Sequence, residues 1–185
     1  MIGRLPSTLE VGGKLYKIRT DFRDILTIML AFSDPELDER EKYAVMLTIL
    51  YEDHDIPAED VPEAIERAIW FLDCGQTNED KKPPRKVMDW EQDVSILFPS
   101  INKVAGKEVR AVEHMHWWTF MGYFMEIDDG TFSTVVGIRQ KKVKGKKLEK
   151  WEQEFYRNNR KLCDLRKRYT EEEQAEIDYW NKLLG

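Results

Sequence analysis

The stretch from Asp89 to Arg139 combines carboxylates with two of the three histidines of the chain. This stretch opens on an acidic motif, Asp89-Trp90-Glu91-Gln92-Asp93, whose carboxyl groups are of the type that forms a general acid–base pair. It also contains His114 and His116, and imidazole is a common zinc ligand. The stretch therefore has the side chains of an enzyme site, and the elements that carry them decide whether they can act together.

The spacing of these groups argues against a shared site. On a helix, residues two apart point to different sides, so His114 and His116 cannot easily bind one metal ion. Glu91 and Asp93 are expected to serve helix capping and surface ion pairing, and residues 128–130 read as a turn. The sequence has no glycine-rich phosphate loop, no nucleophile elbow and no recognisable frame for a catalytic cysteine. We therefore expect no enzymatic activity, no metal and no cofactor.

A second motif is aromatic and reads His116-Trp117-Trp118-Thr119-Phe120. The segment around it, from Met115 to Met125, is apolar on nearly all sides, and a helix of that type is buried. The sequence predicts one long, largely buried helix over residues 108–127. Any part of it that stays exposed is expected to be an interaction surface, because interfaces favour aromatic residues and methionine.

The elements around both motifs are predicted to be mainly helical. Residues 8–11 and 14–18 flank Gly12-Gly13, which is typical of a tight β-hairpin. Pro99 is expected to interrupt or kink its helix, and residues 131–140 are read as a helix in spite of their β-branched content. Apolar spacing and capping residues predict helix starts at Thr20 or Asp21, Pro35, Pro62, Asp89, Glu108, Thr131, Leu148 and the capping box at Thr170.

The chain divides into four predicted segments. Residues 1–78 form a hairpin with an acidic helical lobe, and residues 79–88 form a linker that contains Pro83-Pro84. Residues 89–169 form an aromatic-rich helical lobe with a basic helix, and residues 170–185 form a C-terminal helix. The predicted fold class is mainly α, a multi-helix domain with a short N-terminal β-hairpin.

Length and composition set further limits. The 185 residues suffice for one domain with its own core. No apolar run approaches the ~20 residues that span a bilayer, and the N-terminus lacks a signal-peptide core, so the cytoplasm is the expected location. Cys74 and Cys163 are expected to be small buried hydrophobes rather than a disulfide.

Charge is distributed unevenly along the chain, although the net charge is only −6. Residues 34–66 contain 12 acids and two bases, whereas residues 137–169 contain 13 bases and four acids. Opposed charged ends can attract each other within one chain or between copies, and a basic patch can also meet nucleic acid or an acidic protein. The net negative charge disfavours nucleic acid. The predicted partner-binding residues are Arg139, Lys141, Lys142, Lys144, Lys146, Lys147 and Trp151.

Taken together, the motifs resemble those of one phage family. The acidic motif, then His116-Trp117-Trp118-x-Phe120, then Phe132 and Ile138-Arg139 occur in the order seen in the bacteriophage gene-product-fifteen family of Gram-positive siphophages and prophages. The resemblance extends over nearly the whole chain to about Tyr169. It departs at Trp90, where phenylalanine or tyrosine is at least as frequent, and the helix after Thr170 is less typical of the family.

The resemblance implies a place in tail assembly and no catalytic residues. Family members are encoded in the tail module near the tape measure gene, and proteins in that position often act as tail assembly chaperones. We therefore expect a chaperone that binds the tape measure protein or other tail proteins in the host cytoplasm and is absent from the mature virion. Two alternatives remain open: a structural or tail-completion component of the virion, and a nucleic-acid-binding regulator that uses the basic residues 139–150.

Overall fold

The computed structural model describes residues 3–76 and 85–184 of the chain. It is mainly α with an N-terminal two-stranded sheet, which confirms the predicted fold class. The strands are β1 (Thr8–Val11) and β2 (Lys14–Lys17), and the helices are α1 (Phe22–Phe32), α2 (Glu39–Leu50), α3 (Val61–Leu72), α4 (Val94–Ala105), α5 (Trp117–Met125), α6 (Thr131–Val143), α7 (Lys150–Asn158), α8 (Arg160–Cys163) and α9 (Glu171–Leu184). Short 3₁₀ helices lie at Ala58–Asp60 and Val109–Ala111.

The hairpin forms where the sequence predicts it. Gly12 and Gly13 both have positive φ, at 55° and 74°, and connect two antiparallel strands in which Leu9 pairs with Tyr16. Leu9 and Tyr16 lie on the face that packs against the helices, whereas Leu15 points outward and is 65% exposed. The strand period of two thus separates a core face from a solvent face.

Helix α1 is capped by Asp21, one of the two predicted residues. One carboxylate oxygen of Asp21 accepts the Arg23 N–H at 3.0 Å, and the other accepts the Met115 N–H at 3.0 Å. The cap therefore also joins α1 to the start of α5.

Helix α2 does not begin at Pro35 as predicted. It begins at Glu39, because Asp38 and Glu41 form a capping box in which each side chain accepts the backbone N–H of the other residue. This local pairing fixes the start of the helix downstream of the proline.

Helix α3 begins and ends as predicted. Pro62 lies in its first turn, and Gly75 adopts φ of 81° while its N–H donates to the carbonyl of Trp70 at 2.8 Å. A Cβ at Gly75 would lie 3.0 Å from the ring of Trp118, so the turn also lets α5 approach closely.

The predicted helices at Asp89 and over residues 108–127 are wrong in their extent. Helix α4 begins at Val94 after a turn, runs through Pro99 without interruption, and ends where Gly106 adopts φ of 66°. Helix α5 starts only at Trp117, because the side chain of His116 caps it. The predicted long helix is broken by local capping signals, since Glu108 caps the short 3₁₀ helix at Val109–Ala111 and His116 caps α5.

Helix α6 confirms the helical reading of residues 131–140 and extends it to Val143. The chain then forms α7 and α8, which are followed by an extended segment that leads to α9. Helix α9 starts at the predicted capping box, in which Thr170 and Glu173 each accept the other's N–H.

The main core contains residues from the hairpin and from α1 to α6, from Leu9 to Phe132. At its centre, the ring of Phe22 stacks on Phe120 with centroids 4.5 Å apart. Both predicted lobes thus contribute to one core, while Val135, Ile138 and Cys163 form a smaller cluster with α7 and α8. The predicted segment boundaries stay predictions, and residues 79–84 of the predicted linker lie outside the described residues. Within the part of the chain that the structure describes, no helix has the length and apolarity that crossing a bilayer requires.

Candidate partner-binding surfaces

The acidic motif is a buried structural cluster. The Asp93 side chain is fully buried, and both of its oxygens accept hydrogen bonds from the Arg139 guanidinium, at 2.6 and 2.8 Å. Asp93 therefore does not form the surface ion pair that the sequence suggested. Arg139, which is 3% exposed, is likewise unavailable to a partner, which corrects its predicted role in binding.

The remaining donors of Arg139 bind backbone carbonyls. Its Nε donates to Cys163 at 2.8 Å, its Nη2 to Leu162 at 2.7 Å and its Nη1 to Val87 at 3.2 Å. The guanidinium thus connects α6 with α8 and with the segment before α4. A buried arginine whose N–H donors are all hydrogen-bonded holds the surrounding elements in place and has no donor left for a ligand.

Asp89, the first residue of the motif, is also buried. One of its oxygens accepts the N–H groups of Glu91 and Gln92, at 3.0 and 2.9 Å. Lys86 and Arg168 donate to the same carboxylate, at 2.7 and 2.9 Å. Burial raises the pKa of Asp89, but the Gln92 N–H and the two cations lower it by more, so the pKa lies below its usual range.

Gln92 holds the segment between α8 and α9. Its amide donates to the carbonyl of Asp164 at 2.8 Å and accepts the Arg166 N–H at 2.9 Å. Together with the Asp89–Arg168 pair, this clamp fixes the chain just before α9. The acidic motif therefore positions the C-terminal part of the molecule.

The two histidines of the aromatic region have separate partners. Nδ1 of His116 accepts the Trp118 N–H at 3.0 Å, so its Nε2 carries the proton that faces the carbonyl of Pro6 at 2.9 Å. Burial lowers the pKa of His116. His114 instead contacts the hydroxyl of Thr20 at 3.1 Å. Among the described residues, no group of His, Cys, Asp and Glu side chains could hold a metal ion.

The side chains of Trp117 and Trp118 cap the C-terminal end of α3. Their indole N–H groups donate to the carbonyls of Leu72 and Phe71, both at 2.9 Å. These carbonyls belong to the last turn of α3, where a helix lacks internal donors. The tryptophans of the motif are therefore core and capping residues.

The basic segment is partly engaged within the chain. Lys141 donates to both oxygens of Glu152 at 2.7 Å and thereby lowers the pKa of that carboxyl. Lys142 pairs with Asp164 at 2.7 Å. The other predicted binding residues are on the surface and exposed: Lys144, Lys146, Lys147 and Trp151.

A methionine-lined hollow lies where α1, α3 and α5 meet. Its volume is about 220 Å³, and its wall includes Met29, Cys74, Trp117, Met121 and Met125. Met125 at its edge is 58% exposed. Burial raises the pKa of Cys74 to about 11, so this residue is a neutral apolar thiol in the wall. The hollow can accept an apolar side chain, and flexible methionines suit surfaces that adapt to helical partners.

The C-terminal helix α9 is the most exposed element with large apolar residues. None of its residues is buried. Tyr179, Trp180, Leu183 and Leu184 are between 49% and 81% exposed. Large apolar side chains grouped in this way indicate an interaction surface.

The sequence predicted neither the methionine-lined hollow nor the exposure of α9. Met29 in α1 and Cys74 in the turn after α3 are far along the chain from Met121, so only the fold reveals the hollow. The apolar spacing of α9 was visible in the sequence, but spacing alone does not distinguish a packed helix from an exposed one.

The chain was compared with protein families, curated proteins and solved structures. The family model described as Bacteriophage Gp15 protein matches residues 1–165. No curated protein and no solved structure matches the chain at a significant level. The matched range contains the acidic motif with its partner Arg139 and the aromatic motif, and it ends before α9. Because the match covers most of the sequence, the chain belongs to the Bacteriophage Gp15 protein family.

Proposed function

We propose that this phage protein is a non-enzymatic tail assembly chaperone. It binds the tape measure protein in the host cytoplasm, keeps that long helical client from aggregating, and leaves before the virion is complete. The methionine-lined hollow receives apolar side chains of the client helix. The sequence predicted that the basic segment binds partners. Its exposed lysines keep this role in the proposal, because they can contact acidic residues of the client.

The observation that carries the proposal is the hollow with Met125 at its edge, found in a member of a phage family. Helical clients dock by placing apolar residues, spaced by three and four, into such grooves. Among the groups that first suggested catalysis, Asp89, Asp93 and His116 are engaged in buried pairs and a helix cap, which supports binding rather than chemistry.

Co-expression with the tape measure protein tests the proposal. The wild-type chain should increase the soluble fraction of the client and co-purify with it. Met125→Asp places a charge at the edge of the hollow and should weaken client binding by about tenfold or more, since it removes an apolar contact and buries a carboxylate. Binding is measured by titration of a soluble tape measure fragment.

Leu15→Asp is the matched control, because Leu15 is also an exposed apolar residue but lies on the outer face of the hairpin. It should leave client binding unchanged. Equal loss in both variants would contradict the assigned surface, and no co-purification with the wild-type chain would contradict the function. Mass spectrometry of purified particles tests the departure step, since a structural tail component would be present in stoichiometric amounts.

A further inference from the structure

The C-terminal helix α9 has one apolar side. Ile177, Trp180 and Leu184 follow one another at spacings of three and four, and Tyr179 and Leu183 lie beside them. Ile177 is partly buried, but the other apolar residues of this side are exposed, so most of it is not packed against its own chain. An amphipathic helix of this length gains most of its stability from packing, so the stripe calls for a partner.

The charge of α9 indicates which kind of surface can bind it. The helix is strongly acidic, with Lys182 as its one base. Its acids are Glu171, Glu172, Glu173, Glu176 and Asp178. Glu172, Glu173 and Glu176 lie on the same side as the stripe, so a complementary surface combines apolar and basic side chains.

The same chain carries such a surface at α8 and the segment after it. Arg160, Lys161, Asp164, Leu165 and Arg166 surround a hollow of about 740 Å³. Arg160 pairs with Asp164, whereas Lys161 and Arg166 form no ion pair with any described residue. Leu165 supplies apolar surface between the cations. No residue of α9 is among those around this hollow, which we call the basic hollow.

The start of α9 is held by contacts with residues that do not line the basic hollow. Arg168 is bound to Asp89, and the Glu171 N–H donates to the Glu36 carboxylate in the acidic part of the chain. For α9 to fill the hollow of its own chain, these contacts would have to rearrange. Helix α9 of a second copy can fill the hollow without that change. Each copy then offers one helix and one hollow.

We propose that α9 of one copy docks in the basic hollow of a second copy, with its acidic residues facing Lys161 and Arg166. The contact is head-to-tail, so it closes into a ring or extends as a chain rather than forming a symmetric pair. This self-association is separate from the client-binding hollow and does not depend on the identity of the client.

Analytical ultracentrifugation of the full chain over a wide concentration range tests the proposal. The wild-type chain should associate, and added salt should weaken the association because the charges at the rim are exposed. Two variants reverse the charge on either side of the contact: Glu172→Lys with Glu176→Lys in α9, and Lys161→Glu with Arg166→Glu at the hollow. Each alone should weaken association by about tenfold or more.

The two charge-reversed variants also complement each other. The basic α9 of the first fits the acidic hollow of the second, and the unaltered elements of each still fit, so the mixture should regain the assembly. Lys146→Glu with Lys147→Glu is the matched control, because it makes the same change of charge outside the hollow and should leave association intact. Trp180→Ala with Leu184→Ala should abolish association at unchanged charge.

Three outcomes would overturn the proposal. The first is a wild-type chain that stays monomeric at all concentrations. The second is a loss in the lysine control equal to that of the hollow variant. The third is a mixture of the two reversed variants that remains dissociated while circular dichroism shows both folded.

Discussion

The acidic motif at Asp89–Asp93 and the C-terminal helix α9 are both rich in carboxylates, yet they use them in opposite ways. In the motif, Asp89 and Asp93 are buried and bonded to arginines from distant elements. In α9 the acids face solvent beside an unburied apolar stripe. The motif fixes the fold, whereas α9 offers a surface.

The comparison also separates recognition from function. The residues that identify the family are the acidic and aromatic motifs, and the structure places them in the core and in helix caps. A mutation there should act on folding first. The surfaces proposed for partners lie at Met125, at Lys144, Lys146 and Lys147, at the basic hollow and on α9, where side chains are exposed.

The largest expected effect is the loss of Trp117. Trp117→Ala removes a fully buried side chain and the indole donor to Leu72, so the free energy of unfolding should fall by about 4–6 kcal/mol. Trp151→Ala is the matched control at an exposed tryptophan and should change it by less than about 0.5 kcal/mol. Urea unfolding followed by circular dichroism measures both. A stable Trp117→Ala variant that lost only client binding would instead make the aromatic motif a binding surface.

Breaking the buried ion pair should come next. Asp93→Ala leaves the Arg139 charge buried without its partner, which costs about 3–5 kcal/mol. Replacing both residues, as Asp93→Leu with Arg139→Met, removes the unpaired charge but leaves the carbonyls of Val87, Leu162 and Cys163 without a donor, so the double variant should also be strongly destabilised. The comparison is made by urea unfolding.

The exposed ion pair of Lys103 and Asp129 is the control for the buried pair. Asp129→Ala should change the free energy of unfolding by less than about 1 kcal/mol, since surface ion pairs contribute little. If Asp93→Ala were as mild as Asp129→Ala, the buried cluster would not be the determinant of the fold.

Much of the fold was predictable because its signals are local. Gly12-Gly13 at the hairpin turn, Asp21 as a cap, Gly75 as a helix stop and the Thr170 capping box all act over a few residues, and each is confirmed. The start of α2 was missed although its signal is also local, because Asp38 with Glu41 forms a better cap than Pro35 provides.

The partners of the candidate site could not be predicted, because they are distant in the chain. Arg139 was read as a surface cation from its position in a basic run, and nothing in that run reveals Asp93, which lies immediately before α4. The hydrogen bonds between the Gln92 side chain and the backbone of Asp164 and Arg166 likewise join residues that are far apart in the sequence. Only the packing of α4, α6 and α8 brings these groups together.

A pH titration sharpens the contrast between buried and exposed groups. Burial lowers the pKa of His116 from its ordinary value of 6.5, so the folded chain binds fewer protons there than the unfolded chain. The contribution to stability is complete above pH 6.5 and should be lost as the pH falls through 6.5 towards the lowered value in the fold. Asp89, whose pKa is also lowered, should add a second loss as the pH falls below its ordinary 3.8.

The two histidine variants provide the readout for this titration. His116→Gln should flatten the loss of stability in the first window, whereas His54→Gln, at an exposed histidine, should leave it unchanged. Thermal unfolding at half-unit steps of pH measures both. An identical pH profile for wild type and His116→Gln would show that the imidazole does not carry the dependence.

The smallest effect on stability should follow from removing α9. Since none of its residues is buried, deletion of residues 171–185 should lower the free energy of unfolding by less than about 1 kcal/mol. The clamp that Gln92 and Asp89 form on residues 164–168 stays in place, because it lies before the deletion. Deletion from residue 160 onward is the contrasting variant, since it also removes Cys163 and the carbonyls that bind Arg139, and it should be strongly destabilised. A large loss on removing α9 alone would mean that the helix packs on its own chain in solution, and the division between a fold-determining motif and a surface helix would then be wrong.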